Sequence, residues 1–257
     1  MIPHSPVVAP TAKRSSLRRL LFAATLFLVA TAPALASEWV ARHSLTPAQY
    51  QSAFEEFTGK GFRLVSVSGY DGGRGQARYA AVWKKQAGPA WAARHGLSAE
   101  QYQAAFNQFN QQGYRLSFVN GYAVGNTAQY AAIWTKSGGP AMAARHGLTG
   151  AQYQAAVTEL SGQGYALKHV SAYTVGNAPR FAAIFEKGGP AWVARHGLTA
   201  SQYQAAFDEF TGQGYRLSVV SGYRDGGSDR YAAVWTKAGG PQWSARHGTP
   251  AARSSGV

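Results

Sequence analysis

Read from Trp39, apolar residues first alternate with polar ones. They then recur every third or fourth position, and then alternate twice more before a Gly-Pro step. This pattern predicts strand, helix, strand, strand. It starts again at Trp91, Met142 and Trp192, and a broken fifth start stands at Trp243. The histidines near the end of each first strand are His43, His95, His146, His196 and His247, spaced 52, 51, 50 and 51 residues apart. A constant period of this size marks a repeat architecture.

Within a unit, alternation along Trp39-Val40-Ala41-Arg42-His43 puts Trp39, Ala41 and His43 on one face and Val40 and Arg42 on the other. Thr46, Ser98, Thr149 and Thr199 then occupy N-cap positions, each with a glutamine three residues on (Gln49, Gln101, Gln152, Gln202). Hydroxyl and amide would each satisfy a backbone N–H left over at the helix start. Leu45 with Tyr50, and its three counterparts, forms a hydrophobic staple across that start. Tyr50, Phe54 and Phe57 then line one helix face, and glycines end each helix. In the next strand, strict alternation places Phe62, Leu64 and Tyr70 on one face and Arg63, Val65 and Val67 on the other. A Gly-rich turn leads to a last strand whose central alanine pair lets another layer approach closely.

One unit is too small to bury a core alone, so neighbours must stack. The expected fold class is α+β: tandem βαββ repeats, antiparallel sheets with helices on one side, in an open curved array or half-barrel. Closure into a ring is the alternative, with the Trp39 and Trp243 strands paired. The chain divides into a leader (1–36), repeats 37–88, 89–139, 140–189 and 190–240, a capping strand (241–248) and a disordered tail (249–257).

The leader reads as a signal peptide. Lys13, Arg14, Arg18 and Arg19 precede an apolar run, Leu20 to Ala32, and Ala34-Leu35-Ala36 is a small-residue cleavage site. Cleavage would leave a secreted or periplasmic protein with no later segment long enough to span a membrane. The leader holds four of the excess positive charges, so +10 of the +14 remains in the mature chain. Extracellular peptide, protein or an anionic envelope polymer are the partners this charge allows. The basic residues form no block and no recognition signature, so nucleic acid is not expected. There are no cysteines, and stability must come from the core.

The run W-x-A-R-H-G-L-T-x-x-Q-Y-Q, then G-Y-R-L, then Y-A-A-x-W resembles the bacterial tandem repeat domain 1 family, over roughly Glu38 to Gly248. The same repeat is similar to the N-terminal, non-catalytic half of polyglycine hydrolases. Those are secreted fungal serine proteases whose catalytic half resembles a β-lactamase, and substrate selection is a role proposed for their repeat domain. The resemblance implies a free-standing repeat module here. A β-lactamase-like enzyme needs Ser-x-x-Lys, and none of the eight lysines has a serine three residues before it. Gly-x-Ser-x-Gly is also missing.

The candidate binding residues are the repeated pairs Arg42 and His43, Arg94 and His95, Arg145 and His146, Arg195 and His196, Arg246 and His247. One reading makes them a row of imidazoles and guanidiniums for an anionic or peptide ligand. The other makes them structural, with histidine orienting the turn into the helix and arginine tying neighbouring repeats. One histidine per unit gives no metal-ligand spacing, so neither metal nor other cofactor is expected. Acidic residues do not recur in register, which argues against paired-carboxylate catalysis. The expectation is an exported, non-catalytic binding or substrate-recognition scaffold. The alternative is a hydrolase with a His/Arg/Ser site formed between repeats. Repeat three deviates, with Met142, Val157, Ala166, Lys168, His169 and Phe185; its apolar changes predict repacking, and Lys168 and His169 are its only new polar pair.

Overall fold

The computed structural model describes residues 38–245. The leader, Arg246, His247 and the tail lie outside them.

Each repeat contains strand, helix, strand, strand. Repeat one comprises β1 (Trp39–Leu45), α1 (Pro47–Gly59), β2 (Phe62–Asp71) and β3 (Ala77–Lys85). Repeat two has β4 (Trp91–Leu97), α2 (Ala99–Gln111), β5 (Arg115–Val124) and β6 (Thr127–Thr135). Repeat three has β7 (Met142–Leu148), α3 (Gly150–Gly162), β8 (Tyr165–Val175) and β9 (Ala178–Lys187). Repeat four has β10 (Trp192–Leu198), α4 (Ala200–Gly212), β11 (Arg216–Asp225) and β12 (Ser228–Thr236). All four helices begin with the expected capping box. In the first, Gln49 N–H donates to Thr46 Oγ1 at 3.2 Å and Thr46 N–H donates to Gln49 Oε1 at 2.9 Å.

The third strand is central in every sheet: β1-β3-β2, β4-β6-β5, β7-β9-β8 and β10-β12-β11, all antiparallel. Among the described residues no sheet includes a strand from another repeat. The array is therefore open, and the ring alternative is not what forms. Residues 241–245 carry no strand. Each first strand that forms pairs with the third strand of its own repeat.

The core is layered by repeat. Tyr79, Ala81 and Trp83 face the repeat's own helix, with Trp83 against Phe57 at 5.1 Å and Tyr50 at 6.2 Å. Ala131 and Ile133, on the opposite face of the following sheet, pack into the same cluster. The alanine pair thus admits a layer on each side. Phe54 is only half-buried, because it lies at the joint, where it meets Trp91 of the next repeat at 5.6 Å.

Strict alternation fails in the second strand. A bulge between Leu64 and Ser66 recurs at Leu116/Phe118, Leu167/His169 and Leu217/Val219. One extra residue reverses the phase beyond it. Leu64 and Val67 therefore share the core face, and Tyr70 does not join Phe62 and Leu64. The tyrosine of each later repeat, Tyr122, Tyr173 or Tyr223, points back into the core of the repeat before it.

Repeats are joined by side chains. The second strand is an edge strand, and an unpaired edge exposes backbone donors. Here the following repeat covers them. Gly69 N–H donates to Asn120 Oδ1 at 2.8 Å, Gly121 N–H to Ser171 Oγ at 3.0 Å, and Ala172 N–H to Ser221 Oγ at 2.9 Å. Behind this row, Tyr79 and Tyr122 hydroxyls meet at 2.9 Å, and those of Tyr130 and Tyr173 at 2.7 Å.

Candidate functional site

The Arg-His pairs split at each strand, as alternation requires. Arginine stays with its own repeat. The guanidiniums of Arg42, Arg94 and Arg195 lie over Phe57, Phe109 and Phe210 at 5.2–5.3 Å, a cation–π distance. Arg145 has Leu160 at that helix position and keeps only the bond to the preceding carbonyl, Ala144 O, at 3.0 Å. Histidine crosses the joint. His95 packs edge-on against Tyr50 and Tyr79 of the previous repeat, at 4.5 and 5.1 Å. His146 meets Tyr102 and Tyr130, and His196 meets Tyr153 and Phe181. The structural reading had these roles reversed: histidine ties the repeats and arginine braces its own helix. Among the described residues no repeat precedes His43, which is exposed, with Nδ1 at 3.2 Å from Ser44 Oγ.

A glycine after the histidine turns the strand. Gly96, Gly147 and Gly197 have φ of 67°, 67° and 71°, where a side chain would be strained. The second-strand tyrosine accepts the N–H released by this kink, as in Gly96 to Tyr122 Oη at 3.2 Å and Gly197 to Tyr223 Oη at 2.9 Å.

Burial holds the pKa values of His95, His146 and His196 below the ordinary 6.5, with the Glu100 carboxylate partly opposing this at His146. The folded state therefore binds fewer protons than the unfolded chain as pH falls through the unfolded pKa. Stability from these rings is fully present above about pH 6.5 and is lost on acidification toward their lower folded values. We expect the Tm of the wild type to drop between pH 7.5 and pH 5. A His95→Phe/His146→Phe/His196→Phe variant should lose much less over the same interval. His146→Ala at pH 7.5 should cost about 1–3 kcal/mol, through two lost aromatic contacts. Thermal melts at the two pH values check both statements.

His169, but none of His95, His146 and His196, lines a concavity along the second strands. That is a groove of about 720 Å³ built by equivalent residues of β2, β5, β8 and β11. Its lining mixes hydroxyls and an amide (Ser66, Ser68, Asn120, Ser221) with apolar residues such as Phe118 and Val219. Asp71 stands in it at the first repeat and Arg224 at the fourth. The Asp71 carboxylate accepts from Gly125 N–H and Gly73 N–H, both at 2.7 Å, and these bonds hold its pKa below the usual range. Sequence reasoning missed this groove. Its signal was the recurring Ser68, Asn120, Ser171 and Ser221, polar residues at one register of every second strand.

A second cleft, of about 710 Å³, lies between α3 and β10, lined by Trp192, Arg195, His196, Gln154 and Val157. At the first joint Phe54 meets Trp91; at the third, Val157 is the smaller residue facing Trp192.

Four segments match the family model described as polyglycine hydrolase-like, structural repeat: residues 36–86, 88–137, 139–188 and 189–238. Together they take in the four helix-on-sheet units. The chain belongs to this family.

The polyglycine hydrolase-like repeat has a deviant copy here, repeat three, and its polar changes have structural partners. In the other repeats Arg63, Arg115 and Arg216 lie beside the Gly-Pro linker; Arg216 donates to Pro241 O at 2.7 Å, and Arg115 pairs with Glu186 at 3.0 Å. Repeat three has Ala166 there. Lys168, the bulge residue, reaches the linker instead, so that a Cβ on Gly189 would stand 3.2 Å from its Nζ. His169 lies against Phe118 at 4.7 Å, and its Nε2–H donates to Val119 O at 2.8 Å. Lys168 and His169 thus work separately, each at a joint. Among the described residues no three His, Asp or Glu side chains are grouped to hold a metal ion. No described helix is long and apolar enough to cross a membrane.

Proposed function

We propose that this chain is an exported, non-catalytic binding module, and that the groove along the four second strands receives an extended peptide or a cell-envelope polymer. The observation that carries the reading is that all four repeats contribute equivalent residues to one groove. The lining is partly repetitive, with Ser68, Asn120, Ser171 and Ser221 recurring at one register and Ser66, Phe118, His169 and Val219 varying two residues earlier, and such a lining suits an extended ligand. Weak contacts repeated along one ligand add up to useful affinity. The polar differences of repeat three have packing partners, and His169 is the one of them that also lines the groove.

Calorimetric titration with pentaglycine and with soluble peptidoglycan fragments tests this. Ser66→Trp, which fills the first repeat's share of the groove, should weaken binding at least about tenfold, roughly 1.4 kcal/mol. Arg94→Ala, outside the groove, should leave it unchanged. The reverse pattern would return the site to the Arg-His pairs and sink the groove reading.

A further inference from the structure

Among the described residues the exposed large hydrophobics are Trp39, Tyr70 and Val220. All three belong to the two ends of the array. Tyr70 is 36% exposed, whereas Tyr122, Tyr173 and Tyr223 are buried to 3–8% against the preceding repeat. Val220 is 44% exposed, whereas Val67, Val119 and Val170 are covered to 0–1% by the following one. Ala80 and Val82 of β3 are half-buried, while their counterparts Ala131 and Ile133 are buried. The first repeat therefore presents the rear half of a repeat joint, and the fourth presents the front half.

The polar parts of the joint are also retained. Ser68 is exposed in the first repeat, at the position where Asn120, Ser171 and Ser221 accept from the preceding strand. Gly222 is exposed in the fourth, at the position of donors Gly69, Gly121 and Ala172, and its N–H has no side-chain acceptor among the described residues. Apolar cover and hydrogen-bond register match as they do at the three internal joints.

One segment already occupies part of the front face. Trp243 lies on Phe207 at 5.5 Å and under Arg216 at 5.3 Å. This reproduces the seat of Trp91 on Phe54 and under Arg63, both at 5.6 Å. The residues from Trp243 onward repeat the motif that begins at Trp39. Trp243 covers the helix side of the end, and Val220 stays exposed.

We propose that two copies of this chain join head to tail, the first repeat of one docking on the fourth repeat of the other, with the Trp243 segment as a displaceable cap. The occupant is a second copy because each end is the complement of the other and the same joint forms three times within the chain. Such an interface is heterologous, so it extends into rings or filaments rather than stopping at a symmetric dimer.

Sedimentation velocity over a concentration series decides it. Wild type should shift from monomer to dimer and beyond as concentration rises. Trp243→Ala should make the same shift at about tenfold lower concentration, since the incoming Trp39 then meets no competitor. Val220→Glu and Ser68→Glu, both surface changes, should each remain monomeric with unaltered melting. An equimolar mixture of those two should form a dimer that grows no further, because one keeps a sound rear face and the other a sound front face. Wild type and Trp243→Ala both monomeric throughout would overturn the proposal, assigning the ends to another partner or to the chain's own N-terminal segment. Association that survives Val220→Glu, or a mixture that fails to pair, would overturn it as well.

Discussion

Trp134→Ala is expected to destabilise the protein by about 3–5 kcal/mol, the usual range for emptying a core tryptophan site. Trp134 is fully buried, against Phe109 at 4.7 Å and Tyr102 at 6.4 Å. Its indole N–H has no hydrogen-bond partner among the described residues, and neither do those of Trp83 and Trp235. The ring is therefore present for its volume. Repeat three has Phe185 at the same position, equally buried. Trp134→Phe should consequently cost no more than about 1.5 kcal/mol, since it loses some volume but removes an unsatisfied donor. Urea unfolding followed by circular dichroism would compare the two. Similar losses for both variants would show that the indole N–H has a partner after all.

The second large effect lies at a joint. Gly121→Val should destabilise by about 2–4 kcal/mol, through overpacking and the loss of a buried hydrogen bond. A Cβ on Gly121 would stand 2.2 Å from Tyr173 Cε1, and that ring is held by the Tyr130 hydroxyl behind it. The third joint shows what relief requires. There Ala172 replaces the glycine, and Phe181 replaces the tyrosine that would pin Tyr223. Gly121→Val should therefore be partly rescued by Tyr130→Phe, which frees Tyr173 to move. Absence of any rescue in the double variant would place the strain elsewhere. Because each repeat contacts only its neighbours, the single variant should also broaden the melting transition as its two halves uncouple.

The helix starts, the turns and the repeat boundaries were legible in the sequence because local chemistry fixes them. Thr46 and Gln49 satisfy each other's backbone within three residues, whatever lies around them. The opposite orientations of arginine and histidine were legible too, from simple alternation. What they touch was not. Alternation assigns two faces but does not say which face meets the next repeat, so the roles of His95 and Arg94 came out reversed. Tyr70 was placed on the wrong face because a bulge leaves no mark at Val65 that separates it from an ordinary strand residue. The groove depends on the mutual placement of β2, β5, β8 and β11, which is set by joints some 50 residues apart in sequence. Lys168 and His169 looked like a polar novelty because the loss of Arg at Ala166, two positions earlier, has meaning only beside the linker.

The joints also bear on how such a chain changes length. In a continuous sheet, a new strand must match the hydrogen-bond register of both neighbours along its whole length. Here each joint is made by a few side chains, a Ser or Asn on one backbone N–H, a tyrosine behind it and a histidine against two rings. A whole unit of about 50 residues carries one front half and one rear half of that joint. Duplicating or deleting such a unit in the gene leaves every remaining interface with its proper partner, so array length can vary by whole repeats without any compensating substitution.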